Sequence, residues 1–196
     1  MKIIPLVMVC AAMSACAFNP QQAKIAPALK VATTTEGKGV SVALRVLDER
    51  DSKSIGNRGS AYGKAAKITT AEDVAAIVHS QIHEGLTNKG FNVVPFDAGA
   101  PVTLSVEIRA LSYDTSVGFW TGGVEVKSAL KASAKRGTLE YDKLYRSDEE
   151  KRVAVVPTAA KNEEWINAAL TDVLNQMFND LGLMRHLAGG ESVAGT

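Results

Sequence analysis

Cysteine is nearly absent. The chain has 196 residues and two cysteines, Cys10 and Cys16, both ahead of the segments patterned for folding. With Cys10 in a leader and Cys16 carrying lipid, as argued below, the folded part has no disulfide, thiolate metal site, redox pair or cysteine nucleophile. It must then be held by its hydrophobic core. Long apolar runs are missing as well. A bilayer span needs roughly 20 apolar residues, and no stretch comes near that length. Net charge is missing, with 22 basic against 21 acidic residues. That leaves no basic footprint for a nucleic acid and no long-range steering toward an acidic surface. There is no Gly-Lys-Ser/Thr phosphate loop and no Gly-x-Ser-x-Gly elbow. No catalytic residue, metal or cofactor is expected, and the protein is read as non-enzymatic.

What is present begins at the N-terminus. Lys2 precedes the apolar run Ile3-Ile4-Pro5-Leu6-Val7-Met8-Val9-Cys10-Ala11-Ala12, and Ser14-Ala15 follow. One positive charge, a short apolar core and small residues make a secretory signal peptide. Met13-Ser14-Ala15-Cys16 resembles the bacterial lipobox, with Met in place of the commoner Leu. That resemblance implies cleavage between Ala15 and Cys16, and lipidation of Cys16 as the first mature residue. Several acyl chains anchor stably where one is marginal. Removing residues 1–15 leaves 196 − 15 = 181 residues and, without Lys2, equal basic and acidic counts of 21. This suits one domain with tails.

Residues 16–39 read as a lipidated N-terminus and tether, with Pro20, Pro27 and Thr33-Thr34-Thr35 and few large apolar residues. Ile25, Leu29 and Val31 are the positions at which part of it would dock. A single domain is expected over 40–188, and a disordered tail over 189–196. Val40 to Val46 alternates with period two, as a half-buried strand does. Residues 48–67 read as one long connection. Thr69 and Glu72 have capping-box spacing, and Val74, Ile77, Val78, Ile82 and Leu86 form the stripe of a helix closed by Gly90. Gly85 inside it marks close approach of helix to sheet. Strands follow over 91–94, 102–109 and 124–134. A turn at Lys135-Arg136-Gly137-Thr138 leads to a charge-rich return strand over 139–153, near an edge. The last helix is expected over 162–187. Strand, helix, run of strands and helix make an α+β fold: a two-layer sandwich, mostly antiparallel, with two helices on one face.

Several groups invite a chemical reading. His79 and His83 share a helical face with Glu72, and two imidazoles at that spacing can ligate one ion. The metalloprotease pattern needs Glu directly after the first His, where Ser80 stands, so solvent-facing histidines are expected. Asp48, Glu49, Arg50 and Asp51 leave the first strand, where structural ion pairing is the expectation. Arg50 or Arg58 is expected to fork onto Asp48 or Asp51 and order the loop. Gly118-Phe119-Trp120-Thr121-Gly122-Gly123 joins two strands, and its aromatics are expected to cover a sheet end.

The order of these features is similar to that of the YajG family of bacterial lipoproteins. The strand is followed by Asp48-x-Arg50, Ile55-Gly56-x-Arg58 and Tyr62-Gly63. Leu86-x-x-x-Gly90-Phe91 and Leu170-x-x-x-Leu174 come later. The resemblance implies Cys16 as the lipidation site and no catalytic residue. Ala17 and Phe18 after the acylated Cys imply sorting to the outer membrane, facing the periplasm. The membrane, through the anchor, and an envelope protein are the expected partners. That protein would be met at a sheet edge or at the loop of Asp48, Arg50, Gly56, Arg58 and Tyr62. The rival reading is a small-ligand or glycan-binding protein, with weak hydrolase chemistry, using a pocket under the 48–63 loop.

Overall fold

The computed structural model describes residues 19–58, 66–117 and 122–190. The elements run β1 (Gln21–Gln22), β2 (Ser41–Asp48), β3 (Gly56–Arg58), β4 (Ala66–Thr69), α1 (Val74–Asn88), β5 (Asn92–Pro95), β6 (Val102–Val117), β7 (Gly122–Arg136), β8 (Leu139–Val153), α2 (Ala159–Phe178) and α3 (Leu181–Ala188). The fold is α+β, and the described residues form one eight-stranded sheet.

β6 is the spine. β7 pairs along its length antiparallel, and β8 continues antiparallel beyond β7. The other side of β6 is shared. β2 pairs parallel from Ala43↔Thr103 to Asp48↔Ile108, and β3 takes over at Gly56↔Tyr113. β5 flanks β2 in parallel, and β4 and β1 extend from β3. The sheet is therefore mixed, which corrects the mostly antiparallel expectation. The long hairpins are antiparallel because only four residues part β6 from β7 and two part β7 from β8, whereas β2 reaches β5 and β6 only through a helical crossover.

The pattern of β6 explains its length. Leu104, Val106 and Ile108 are buried, and Leu111 and Tyr113 are buried after them. A bulge between Ile108 and Ala110 absorbs the change of parity. The strand expected over 102–109 therefore continues to Val117. Val124, Val126, Leu130, Ala132 and Ala134 of β7 join the same core as the helical stripes. Ile82, Leu86, Ile166, Leu170, Val173 and Leu174 are fully buried there. Truncating one such Leu to Ala costs about 2–5 kcal/mol.

The helices differ from expectation at their ends. Asp73 caps α1 by accepting from Ala76 N–H at 3.1 Å, while Glu72 accepts from Ile25 N–H at 2.7 Å. Glu72 is thus spent on the N-terminal segment, not on a capping box. Gly85 faces the Phe178 ring, and a Cβ there would lie 2.4 Å from Phe178 Cζ. The close approach is helix to helix, not helix to sheet. The expected single last helix is two, parted at Asn179 and Asp180. Asp180 accepts from Gly182 and Leu183 N–H as the cap of α3. Gly189, expected in the tail, is its left-handed C-cap.

The tether expectation is corrected from Gln21 onward. Ala23 and Ile25 are buried, and Leu29 and Val31 pack on the core. Ala26 N–H donates to Asn167 Oδ1 and Ala28 N–H to Thr171 Oγ1. Thr34 N–H donates to Asn88 O, and Gly37 N–H to Lys89 O. The segment has few large apolar residues because it lies along α2 through its backbone.

Candidate interaction surface

Asp48 ends β2 and meets Arg50 in a fork, Nε to Oδ1 at 2.8 Å and Nη2 to Oδ2 at 2.8 Å. Lys53 adds Nζ to Oδ2 at 3.1 Å and to the Asp48 carbonyl at 2.6 Å. The Arg50 hydrogen bond, against the opposing effect of burial, holds the Asp48 carboxyl at about 2. Arg50 is only 8% exposed, so the pair closes the loop on itself.

The expected 48–67 connection contains two strands, and Gly56 and Arg58 belong to one of them. Ile55 O accepts from Tyr113 N–H at 2.7 Å. A Cβ on Gly56 would meet Tyr113 O at 1.8 Å, so glycine is needed where β3 presses on β6. Arg58 does not turn back to Asp48. It is 6% exposed, donates to Gln21 Oε1 at 3.3 Å and to Pro157 O at 3.5 Å, and has no ion pair among the described residues. Around it Tyr113 OH donates to Asn162 Oδ1 at 2.6 Å, Asn162 Nδ2 to Gln21 Oε1 at 2.9 Å, and Gln21 Nε2 to Ala159 O at 2.8 Å. Burial, partly offset by the Arg58 charge, pushes the Tyr113 hydroxyl up to about 12. This cluster ties the N-terminal segment, β3, β6 and α2 together. Tyr62 lies outside the described residues.

A second cluster was not visible in the sequence. Tyr141 OH, Tyr145 OH and Lys143 Nζ each approach Asp180 Oδ2 at 2.7 Å. Burial favours the neutral acid, but Lys143, Tyr145, Tyr141 and the Leu183 N–H outweigh it and hold Asp180 at about 2. Burial and the hydrogen bond to Asp180 raise both tyrosines. The signal was a lone Asp inside an apolar helical stripe, where Asp favours a cap over an interior position.

The sheet face opposite the buried stripe is charged and concave. Around the β6 bulge a concavity of about 790 Å³ is lined by Arg109, Lys127, Lys131 and Arg146, with Glu125 and Asp148. Lys127 pairs with Glu125 at 2.8 Å. β8 borders this face, and among the described residues β7 is its one strand partner; Gln176 Nε2 of α2 donates to the β8 carbonyl of Arg146 at 2.8 Å.

His79 and His83 have ring centroids 6.3 Å apart, and no group of three or more metal-ligating side chains gathers among the described residues. No helix among them is long and apolar enough to cross a membrane. Ala15, Cys16, Phe119 and Trp120 lie outside the described residues.

No curated protein matches the sequence. Among solved structures the chain is similar to protein XCC0632 from Xanthomonas campestris, of family DUF330. The identity is 15%, covering 85% of this chain and 96% of that one, with a TM-score of 0.47. It is similar also to a putative neuraminyllactose-binding hemagglutinin homolog from Helicobacter pylori, at 12% identity, 86% and 97% coverage and a TM-score of 0.48. Lipoprotein GNA1162 from Neisseria meningitidis is similar at 12% identity, 72% and 99% coverage and a TM-score of 0.35. The family described as uncharacterized lipoprotein matches residues 27–187. That match runs from the docked N-terminal segment into the last helix, and the chain belongs to this YajG-type lipoprotein family.

Proposed function

We propose that the protein is an outer-membrane lipoprotein anchored through acylated Cys16, with its α+β domain in the periplasm. There it binds an extended segment of an envelope protein and catalyses no reaction. The domain is read as two layers, with the helices together over one sheet face and the charged face left to solvent. The observation that carries the binding role is the open edge of β8. No described strand covers its outer side, which suits strand addition away from Arg146, whose carbonyl Gln176 engages, and the charged concavity beside it supplies side-chain discrimination. The strongly depressed carboxyls, Asp48 and Asp180, each have a structural partner, which supports a role without chemistry. The rival pocket would need Asp48, Arg50 and Arg58 to converge. Arg50 neutralises Asp48, and Arg58 turns toward Gln21 and Pro157.

Two measurements test this reading. Mass spectrometry of the native protein should find acyl chains on Cys16, and Cys16→Ser should leave an unprocessed or soluble form. A photo-crosslinking residue at Leu144, beside the edge, should capture a discrete envelope protein in intact cells. The same residue at Glu84, on the exposed side of α1, should not. Equal capture at both positions, or none at Leu144, would sink the edge as the binding surface.

A further inference from the structure

The docked N-terminal segment has a geometric consequence. Between Cys16 and Gln21 lie only Ala17, Phe18, Asn19 and Pro20. Five residues fully extended reach at most about 18 Å. Gln21 itself is not free to move away from the domain. It donates to Ala159 O and accepts from Arg58 and Asn162, and Ala23 N–H donates to Thr69 O at 2.7 Å. A lipid on Cys16 therefore holds one particular end of the domain near the bilayer.

That end has the surface such a position calls for. Arg58 also donates to Pro157 O, which places the connection between β8 and α2 directly beside Gln21. Val155 in this connection is 79% exposed and Val156 46%. Ala154, Ala159 and Ala160 are exposed with them. From Val153 to Ala160 the sequence carries no charge, whereas β8 just before it is dense in charge. Exposed Arg152 precedes the run, where a cation meets lipid phosphates. Elsewhere Leu139 is 63% exposed, but it sits at the opposite end of β8, roughly 45 Å away at strand rise.

We infer that residues 154–160 rest on the bilayer that holds the anchor, with Val155 and Val156 at the headgroup–acyl boundary. The inference builds on acylation of Cys16 as proposed above. Lipid fits this surface better than a protein does. A headgroup layer is roughly 5–8 Å deep, within reach of the short link. A folded partner of about 100 residues has a radius of gyration near 13 Å, so it does not fit the gap. Amphipathic surfaces seat their apolar side at this depth. The edge of β8 then stands away from the membrane from Val153 to Leu139, presenting its open side to the periplasm.

The test uses the full acylated chain. After processing, the Cys16 thiol is held in the thioether, so Val155→Cys or Leu139→Cys supplies the one free thiol for a nitrobenzoxadiazole label. Each protein is reconstituted into vesicles of phosphatidylethanolamine and phosphatidylglycerol, and quenching by aqueous iodide is compared with that in detergent. Quenching at 155 should fall by roughly threefold or more, as for a group seated at the headgroup–acyl boundary, and quenching at 139 should not change. Label at 155 fully quenched on an acylated chain would show the domain standing off the membrane and would overturn the inference. So would shielding at 139 instead. Shielding at 155 that is present in detergent and grows with protein concentration would name a second copy as the occupant. Intact mass of the same samples reads the anchor separately. A missing acyl mass would overturn the anchor, and this orientation with it.

Discussion

Replacing Asp180 with Asn should destabilise the fold by about 2–4 kcal/mol at pH 7, and the loss should fade toward pH 2. The carboxylate serves two elements at once. Oδ2 receives Tyr141, Tyr145 and Lys143, and Oδ1 receives the Gly182 N–H at 2.9 Å and the Leu183 N–H at 3.4 Å. Burial would raise its pKa, yet these donors bring it from 3.8 down to about 2. At about 1.4 kcal/mol per unit, that depression stabilises the folded state by roughly 2–2.5 kcal/mol. The folded pKa is lowered, so this stabilisation is complete above the unfolded value of 3.8 and is lost as pH falls through about 2. Asn keeps an oxygen for the helix cap, but its amide nitrogen cannot accept from the tyrosines. That adds on the order of 1 kcal/mol. Urea unfolding of wild type and Asp180→Asn at steps between pH 2 and 7 reads the difference, which cancels the titration of other acids. A gap below about 1 kcal/mol at pH 7, or one of constant size across the range, would refute the reasoning.

Three further outcomes follow from the same physical account. Gly85→Ala should destabilise by about 1–3 kcal/mol despite better helix propensity, because the added Cβ enters the Phe178 ring, and pairing it with Phe178→Leu should recover much of the loss in thermal unfolding. Arg50→Lys should cost about 1–2 kcal/mol at neutral pH, since a lysine cannot fork onto Asp48, and the deficit should shrink on acidification from pH 4 toward 2 as that carboxyl is protonated; a variant matching wild type in urea at pH 7 would dismiss the fork. Tyr113→Phe should cost about 1–3 kcal/mol by leaving the buried Asn162 Oδ1 without its donor, and unchanged thermal unfolding would remove the cluster from the stability account.

Local periodicity located the elements that bury one face over many residues. The alternation of Val102, Leu104, Val106 and Ile108 and the helical stripe of Ile166, Leu170 and Leu174 are read correctly because burial repeats with the backbone period. The charge of β8 marked it as an edge, which is where it lies. Strands of two to four residues, such as β1, β3 and β4, have no period to read. Residues 19–39 looked like a tether because their stabilising contacts are backbone hydrogen bonds to Asn167 and Thr171, which leave little trace in side-chain hydropathy. In the 48–63 segment the Asp48–Arg50 fork was legible from two residues that are neighbours in sequence, whereas the turn of Arg58 toward Gln21 was not.

What the sequence alone determined is the body of the core, the two main helical stripes, the long strands, and the lipoprotein character that the family match supports. Each of these is written in a run of neighbouring residues, because repeat spacing and motif order are local properties. What only the tertiary structure decided is which strands are parallel, where the last helix breaks, and where the N-terminal segment lies. Those depend on partners far apart in the chain. Gln21 is 138 residues from Ala159, and Tyr145 is 35 from Asp180. A polar group there is satisfied only when the fold brings its partner close, and no local pattern names that partner.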